Sequence, residues 1–338
     1  MTDRDGQIAQ FLCTAGWESA KIRPLAGDAS NRRYLRLAKG SETAVLMDAP
    51  PNSGEDIRPF VRISEWLSAK GFSAPKVYHK NEEQGLLLLE DLGDDLIARV
   101  VENDAGSESA LYSAATDVLV KLHQCEPPKN LIQYTSDLMA DMTSPVFDWY
   151  LRGCGEEATK PEGFTDHFKD LLNTYCTDKG VVVLRDYHAE NLLWLPSRDG
   201  VQNVGLLDFQ DALLGHRAYD LVSLLHDIRR EVSPDVEQQM VYRYLDATGL
   251  EEQSFKAAFA TLGLQRNLRI MGVFSRLCLH LGRPHYVDFL PRVWSLIVQE
   301  LEHSALETIR SIVLHNIPPP TSEILRKLKD QCATIQTP

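Results

Sequence analysis

The chain of 338 residues is 43% hydrophobic and 25% charged, enough to bury a sizeable core and to divide into two lobes. A formal net charge of −13 excludes phosphate-backbone binding as the main task, because nucleic-acid binding needs a concentrated basic surface. The opening Met1-Thr2-Asp3-Arg4-Asp5-Gly6 has no basic stretch leading into an apolar run, no apolar run approaches spanning length, and the 6 cysteines form no C-x-x-C pair; the expectation is a cytoplasmic protein with reduced thiols and neither a membrane nor a nucleic acid as partner.

Ile8, Phe11 and Leu12 recur at helical spacing and predict an opening helix over 5–15. Three strands follow at 22–26, 32–37 and 43–48, with Gly27-Asp28 and Lys39-Gly40 as turn signals between them. Pro50-Pro51-Asn52-Ser53-Gly54 breaks the run before Ile57, Phe60, Ile63 and Trp66-Leu67, which mark an amphipathic helix. Strands at 76–79 and 86–89 lead into the polar Glu90-Asp91-Leu92-Gly93-Asp94-Asp95. Beyond residue 95 the pattern is mainly helical, with helices expected near 216–230, 234–247, 252–281 and 291–312. Ile317-Pro318-Pro319-Pro320 ends the packed body before a short helical tail.

Short apolar runs interrupt the helical part at 181–184, 192–195 and 204–207, and each reads as a buried strand. Between and after them stand Leu184-Arg185-Asp186-Tyr187-His188-Ala189-Glu190-Asn191 and Asp208-Phe209-Gln210. Transfer of a phosphoryl group to a hydroxyl needs a carboxylate beside the attacking oxygen, plus an amide oxygen and a second carboxylate for the divalent cation on the phosphates. Asp186, Asn191 and Asp208 supply that set, two from one loop and one from a strand end. Any one of them alone would read as a turn residue; the joint spacing carries the assignment.

Leu184 to Asn191 resembles the catalytic loop of the kinase-like phosphotransferases, the group that includes aminoglycoside and choline kinases. Asp208-Phe209-Gln210 resembles the metal-binding Asp-Phe-Gly of protein kinases. Asp220 in Tyr219-Asp220-Leu221 matches a family aspartate that braces the loop, and His188 falls on a family position, where a structural histidine is the alternative to a phosphate contact. Leu25 to Tyr34, Leu46-Met47-Asp48-Ala49-Pro50-Pro51, Asp208 to Ala212, Gln265-Arg266-Asn267 and Phe274-Ser275-Arg276-Leu277 are similar to the bacterial anomeric amino-sugar kinases, which phosphorylate the C1 hydroxyl of N-acetylmuramate and N-acetylglucosamine in cell-wall recycling. The resemblance covers most of the chain. It implies an α+β, two-lobed protein-kinase-like fold, with a small β-rich N-terminal lobe over 1–90, a hinge at 91–95 and a larger, mainly helical C-terminal lobe over 96–338. ATP and Mg²⁺ are the implied cofactors and an amino sugar the implied small-molecule partner. Asp186 would be the base, Asn191 and Asp208 the metal ligands, and Asp220 the brace.

The remaining candidates are weighed against plainer readings. No G-x-x-x-x-G-K-[ST] or G-x-G-x-x-G occurs, so Gly27 and Ser30, in the turn between the first two strands, become the phosphate-loop candidates, with an unliganded hairpin turn as the alternative. Glu90 and Leu92 mark the hinge whose backbone would meet adenine. The third-strand position where kinases keep a phosphate-binding lysine is Met47, so either another cation serves or the site is a degenerate pseudokinase; of Arg32 and Arg33, which point to opposite faces, Arg33 is favoured, with Glu65 to orient it. Arg266, Arg269 and Arg276 share one broad helix face, where a solvated face competes with a substrate pocket in which Arg266 or Arg276 pairs with a carboxylate. Trp149 is a candidate to stack on a sugar ring. His280 and His285 lack the carboxylate or cysteine cluster of a metal site. The alternatives are a kinase for another hydroxyl compound, such as an aminoglycoside, choline or homoserine, and a non-catalytic nucleotide-binding pseudokinase.

Overall fold

The computed structural model describes residues 3–25, 32–155 and 159–335. Along the chain run α1 (Asp3–Thr14), β1 (Lys21–Pro24), β2 (Arg33–Lys39), β3 (Glu42–Asp48), α2 (Arg58–Ala69), β4 (Val77–Asn81), β5 (Leu86–Glu90), α3 (Ile97–Asn103) and α4 (Glu108–Leu122). There follow α5 (Ser136–Asp141), a π-helical turn (Val146–Leu151), α6 (Arg152–Cys154), α7 (Phe164–Tyr175), β6 (Val181–Val183), β7 (Leu192–Trp194), β8 (Val204–Leu206) and β9 (Leu213–Gly215). The chain then continues through α8 (Ala218–Leu225), α9 (Pro234–Thr248), α10 (Glu252–Leu279), α11 (Leu290–Leu301), α12 (Glu307–Asn316) and α13 (Ser322–Asp330). Packing divides these into two compact units, residues 1–121 with 189–212, and residues 122–188 with 213–338.

The first unit is built on an antiparallel sheet in the order β1-β2-β3-β5-β4. Alternation sorts its side chains by face. Leu37, Ala44, Leu46, Leu86 and Leu88 pack against Ile8, Phe11 and Leu12 of α1, and each leucine, isoleucine or phenylalanine fully buried stabilises the unit by about 1.5–3 kcal/mol. Gly85 sits in the β4–β5 turn at φ +64, and a Cβ there would run into the Ala49 carbonyl, so the turn requires glycine twice over. The β7–β8 ribbon belongs to the same unit. It is held there by Leu206 N–H donating to the Ser73 carbonyl at 2.8 Å, by Trp194 N–H donating to the Asp95 carbonyl at 2.7 Å, and by Leu92 packing with Leu193 and Leu195.

The second unit wraps α10, a 28-residue helix buried along most of its circumference, as befits a core helix rather than a surface one. The π-helical turn, α7, α8, α11 and α13 all pack on it. Gly272 lets the Pro145–Val146 backbone approach so closely that a Cβ would overlap it. The β6–β9 ribbon completes the unit, with Val181 opposite Gly215 and Val183 opposite Leu213.

The expected small sheet-based region and helical C-terminal part are both present, and the N-terminal elements fall within a few residues of their expected positions. Three differences stand out. The helix expected over 291–312 is two, because His303 takes extended backbone (φ −73, ψ 133) and its Nδ1 accepts from Ala305 N–H at 3.1 Å, capping a short 3-10 turn before α12. The helix expected over 216–230 stops at Leu225, where His226 leaves helical geometry to pair with Glu300 and Glu237. Strand β9 was not anticipated; three residues bounded by Ala212 and His216 carry too little periodicity to be read from sequence. Among the described residues, no helix is long and apolar enough to cross a membrane.

Candidate active site

In the second unit, β6 ends at Val183 and the chain turns sharply. Arg185 adopts φ +73, a left-handed conformation costly for a side chain with a Cβ, and neighbouring hydrogen bonds hold it there. Asp220, fully buried in the first turn of α8, accepts from Leu184 N–H at 2.6 Å and Arg185 N–H at 2.9 Å, while Ser223 Oγ donates to the Arg185 carbonyl at 3.1 Å. Burial pushes the Asp220 carboxyl up to about 7, against the pull of the two N–H donors. Asp186 follows, its N–H donating to the Leu184 carbonyl at 3.0 Å.

His188 is 4% exposed, and burial, reinforced by the positive charges of Arg229 and Arg266, keeps it well below the ordinary histidine range and hence neutral. Arg229 Nη1 lies 3.1 Å from His188 Nε2; a guanidinium only donates, so Nε2 accepts and the ring proton resides on Nδ1. Arg266 is also buried and donates to the His226 carbonyl at 3.2 Å. Burial lowers its pKa, while Tyr219, Asp227 and Asp186 favour its charge. Asp227 accepts from Arg229 N–H at 2.8 Å, and its buried Oδ2 has no hydrogen-bond partner among the described residues. Sequence reasoning missed Asp227 and Arg229. Their one signal was the run Asp227-Ile228-Arg229-Arg230 directly after an apolar helix.

In the first unit, Asn191 closes a 3-10 turn and its carbonyl accepts from Leu207 N–H at 2.9 Å, extending the β7–β8 pairing by one step. Asp208 therefore follows directly on the residue facing Asn191, at the same end of the ribbon. It too is left-handed, at φ +56, and its Oδ1 accepts from Gln210 Nε2 at 2.7 Å. One amide oxygen and one carboxylate at one ribbon end are hard oxygen donors, the kind a Mg²⁺ ion takes together with waters and phosphate oxygens. The Phe209 ring lies 4.9 Å from Phe60 of α2.

Several expected residues stand elsewhere. Gly27 and Ser30 lie outside the described residues. Glu90 ends β5 and pairs with Arg198 at 2.7 Å, and Leu92 is buried by side chain in the small cluster against β7. Arg33 pairs with Asp48, not with Glu65; Asp48 is fully buried and also takes Arg4 of α1 at 2.6 Å. Arg33 thus shares the α1 face of the sheet, and the preference for it over Arg32 loses its geometric basis. Trp149 is 5% exposed, packed in the π-helical turn with its ring 5.8 Å from His280, so it is a core residue with no face for a sugar. Arg276 is exposed near the end of α10, roughly 15 Å along the axis from buried Arg266 at 1.5 Å per residue, and the two share no pocket.

Residues 21–254 match the model of the Phosphotransferase enzyme family. The chain is 37% identical to the N-acetylmuramate/N-acetylglucosamine kinase of Caulobacter vibrioides over 87% of its own length and 91% of that protein. It is 32% identical to the Pseudomonas aeruginosa protein of the same name, over 85% and 87% respectively. Among solved structures it is similar to a putative aminoglycoside phosphotransferase from Ralstonia eutropha, with a TM-score of 0.62 at 13% identity, covering 90% of this chain and 98% of that one. Choline kinase LicA from Streptococcus pneumoniae gives a TM-score of 0.56 at 13% identity, covering 90% of this chain and 99% of that one. The fold is therefore the two-lobed protein-kinase-like one, with a small antiparallel-sheet lobe and a helical C-terminal part, and the chain is an enzyme belonging to the Phosphotransferase enzyme family.

Proposed function

We propose that the protein transfers the γ-phosphoryl group of ATP to the anomeric C1 hydroxyl of N-acetylmuramate or N-acetylglucosamine, sugars released by cell-wall turnover and handled in the cytoplasm. The observation that carries the substrate is the 37% identity over 87% of the chain to a kinase named for those two sugars. The chemistry is supported by the two left-handed residues Arg185 and Asp208, each strained within a motif and each next to or at a carboxylate assigned a role.

In this reading Asp186 orients the sugar hydroxyl and accepts its proton, and Asp220 keeps the loop that carries it in place through Leu184 and Arg185 N–H. Neutral His188, only 4% exposed and bound to Arg229, serves as a structural residue of the same loop. Asn191 and Asp208 would hold Mg²⁺, which when bound offsets phosphate charge. The segment 91–95, which lies within the first unit, offers backbone to adenine. Catalysis of this kind is positioning and electrostatics, so the rate depends on these few side chains being held still.

The test is ADP release from Mg-ATP by the purified protein across N-acetylmuramate, N-acetylglucosamine, kanamycin, choline and homoserine. Turnover with the two N-acetyl sugars is expected. Turnover confined to kanamycin, choline or homoserine would replace the substrate, and silence with every acceptor despite ATP binding would remove catalysis altogether.

A further inference from the structure

The third strand raises a question that the sheet register answers. Met47 is fully buried in β3, where the kinase pattern needs a cation on the nucleotide phosphates. Directly opposed residues of an antiparallel pair share a face. Arg33 opposite Asp48, Leu35 opposite Leu46 and Leu37 opposite Ala44 form the face covered by α1, whereas Tyr34 opposite Met47 and Arg36 opposite Val45 form the other. On that second face Arg36 is committed to Asp91, Asp94 and the Gly93 carbonyl. Arg32, two residues before Tyr34 and in side-chain contact with it, has its guanidinium on Glu55 at 2.7 Å, and the two side chains are only 12% and 13% exposed. Glu55 stands just ahead of α2, the helix whose Phe60 packs on Phe209 beside Asp208.

We propose that Arg32, held by Glu55, is the phosphate-binding cation of this enzyme, the lysine–glutamate pair of the kinase pattern having been replaced as a unit by an arginine on the neighbouring strand and a carboxylate at the entry to α2. The inference rests on the kinase reading above. A guanidinium suits the exchange because its fork of donors can hold a carboxylate on one edge and phosphate oxygens on another, which a lysine ammonium on a buried strand does less well. Its ligand is the polyphosphate of a nucleotide, not the base or the sugar.

Binding of a non-hydrolysable Mg-ATP analogue and of adenosine, which has no phosphate, would be measured by calorimetry for the wild type, Arg32→Met and Arg33→Met. Arg32→Met should weaken the ATP analogue at least roughly tenfold, the loss expected for one charge-assisted contact, and leave adenosine unchanged. Arg33→Met should bind both as the wild type does. Should Arg32→Met not fold, Arg32→Gln carries the same expectation. Retention of analogue affinity without Arg32, equal weakening of analogue and adenosine, or a selective loss in Arg33→Met instead would each overturn the assignment while leaving the kinase reading intact. A wild type that binds no Mg-ATP analogue would overturn the kinase reading and this one with it.

Discussion

The loop region from Leu184 to Asp208 and the helix α10 both carry charged residues into protected surroundings, but they do so by different physics. In the loop region, position follows from chain geometry. Strand β6 ends one residue before Leu184, a 3-10 turn ends at Asn191, and the β7–β8 register sets Asp208 next to the residue facing Asn191. In α10 the 3.6-residue period says only which side chains share a direction, and what lies in that direction is decided by other elements. Arg266 meets the His226 carbonyl and the charges of Asp227 and Asp186, while Arg276, on the same helix, meets solvent. Spacing in strands and turns therefore locates chemistry more sharply than spacing in helices.

The same difference explains what was legible. The sheet and the segments that carry Asp186, Asn191 and Asp208 follow from local patterns a few residues long, whereas Asp220, which accepts from Leu184 and Arg185 N–H, is singled out only by family resemblance. Trp149 was misplaced because nothing in Phe147-Asp148-Trp149-Tyr150 announces a π-helical turn packed on α10. Arg33 was preferred over Arg32 because the face of a strand is fixed by what packs on it, here Ile8, Phe11 and Leu12 of α1, and the sequence of β2 does not contain that information. Asp227 and Arg229 went unnoticed since their partners lie far along the chain or in irregular backbone.

Substitutions can break or sharpen the contrast. The largest effect is expected in the loop region: Asp208→Asn should lower kcat by about a thousandfold or more, and Asp186→Asn by roughly a hundred- to ten-thousandfold, with thermal unfolding little changed. Wild-type rates in either variant, measured as ADP release, would contradict the roles given to these carboxylates. In α10 the effect should fall on stability and divide by position. Arg266→Met removes a buried cation from the neighbourhood of Asp227 and Asp186 and should cost on the order of 3 kcal/mol in denaturant unfolding, whereas Arg276→Met should stay within about 0.5 kcal/mol and leave the KM for sugar unchanged.

Gly263→Ala probes how tightly α10 is enclosed. A Cβ there would overlap the Glu300 carboxylate, which is itself bound to His226 Nδ1 at 2.6 Å, so a loss of about 1–3 kcal/mol is expected; an unchanged melting curve would mean that the ion pair is free to shift. A pH dependence of the same cluster is expected as well. Burial disfavours charge on His226, but Glu300 and Glu237 overcome it and raise its pKa to about 9 from an ordinary 6.5. The folded state then holds a proton that the unfolded state has released, so this contribution is whole below pH 6.5 and is lost as pH rises through about 9. Chemical denaturation at pH 6, 7.5 and 9.5 should show stability falling on the order of 1–3 kcal/mol across that window, and His226→Gln should flatten the fall.

The central claim, a phosphoryl group placed on the anomeric hydroxyl of an N-acetyl sugar, is tested most directly by proton-coupled phosphorus NMR of the product formed from Mg-ATP and N-acetylmuramate. A phosphate resonance split by the single C1 proton is predicted. A phosphate split by two methylene protons, as on C6, or no sugar phosphate at all while N-acetylmuramate is present in excess, would contradict it.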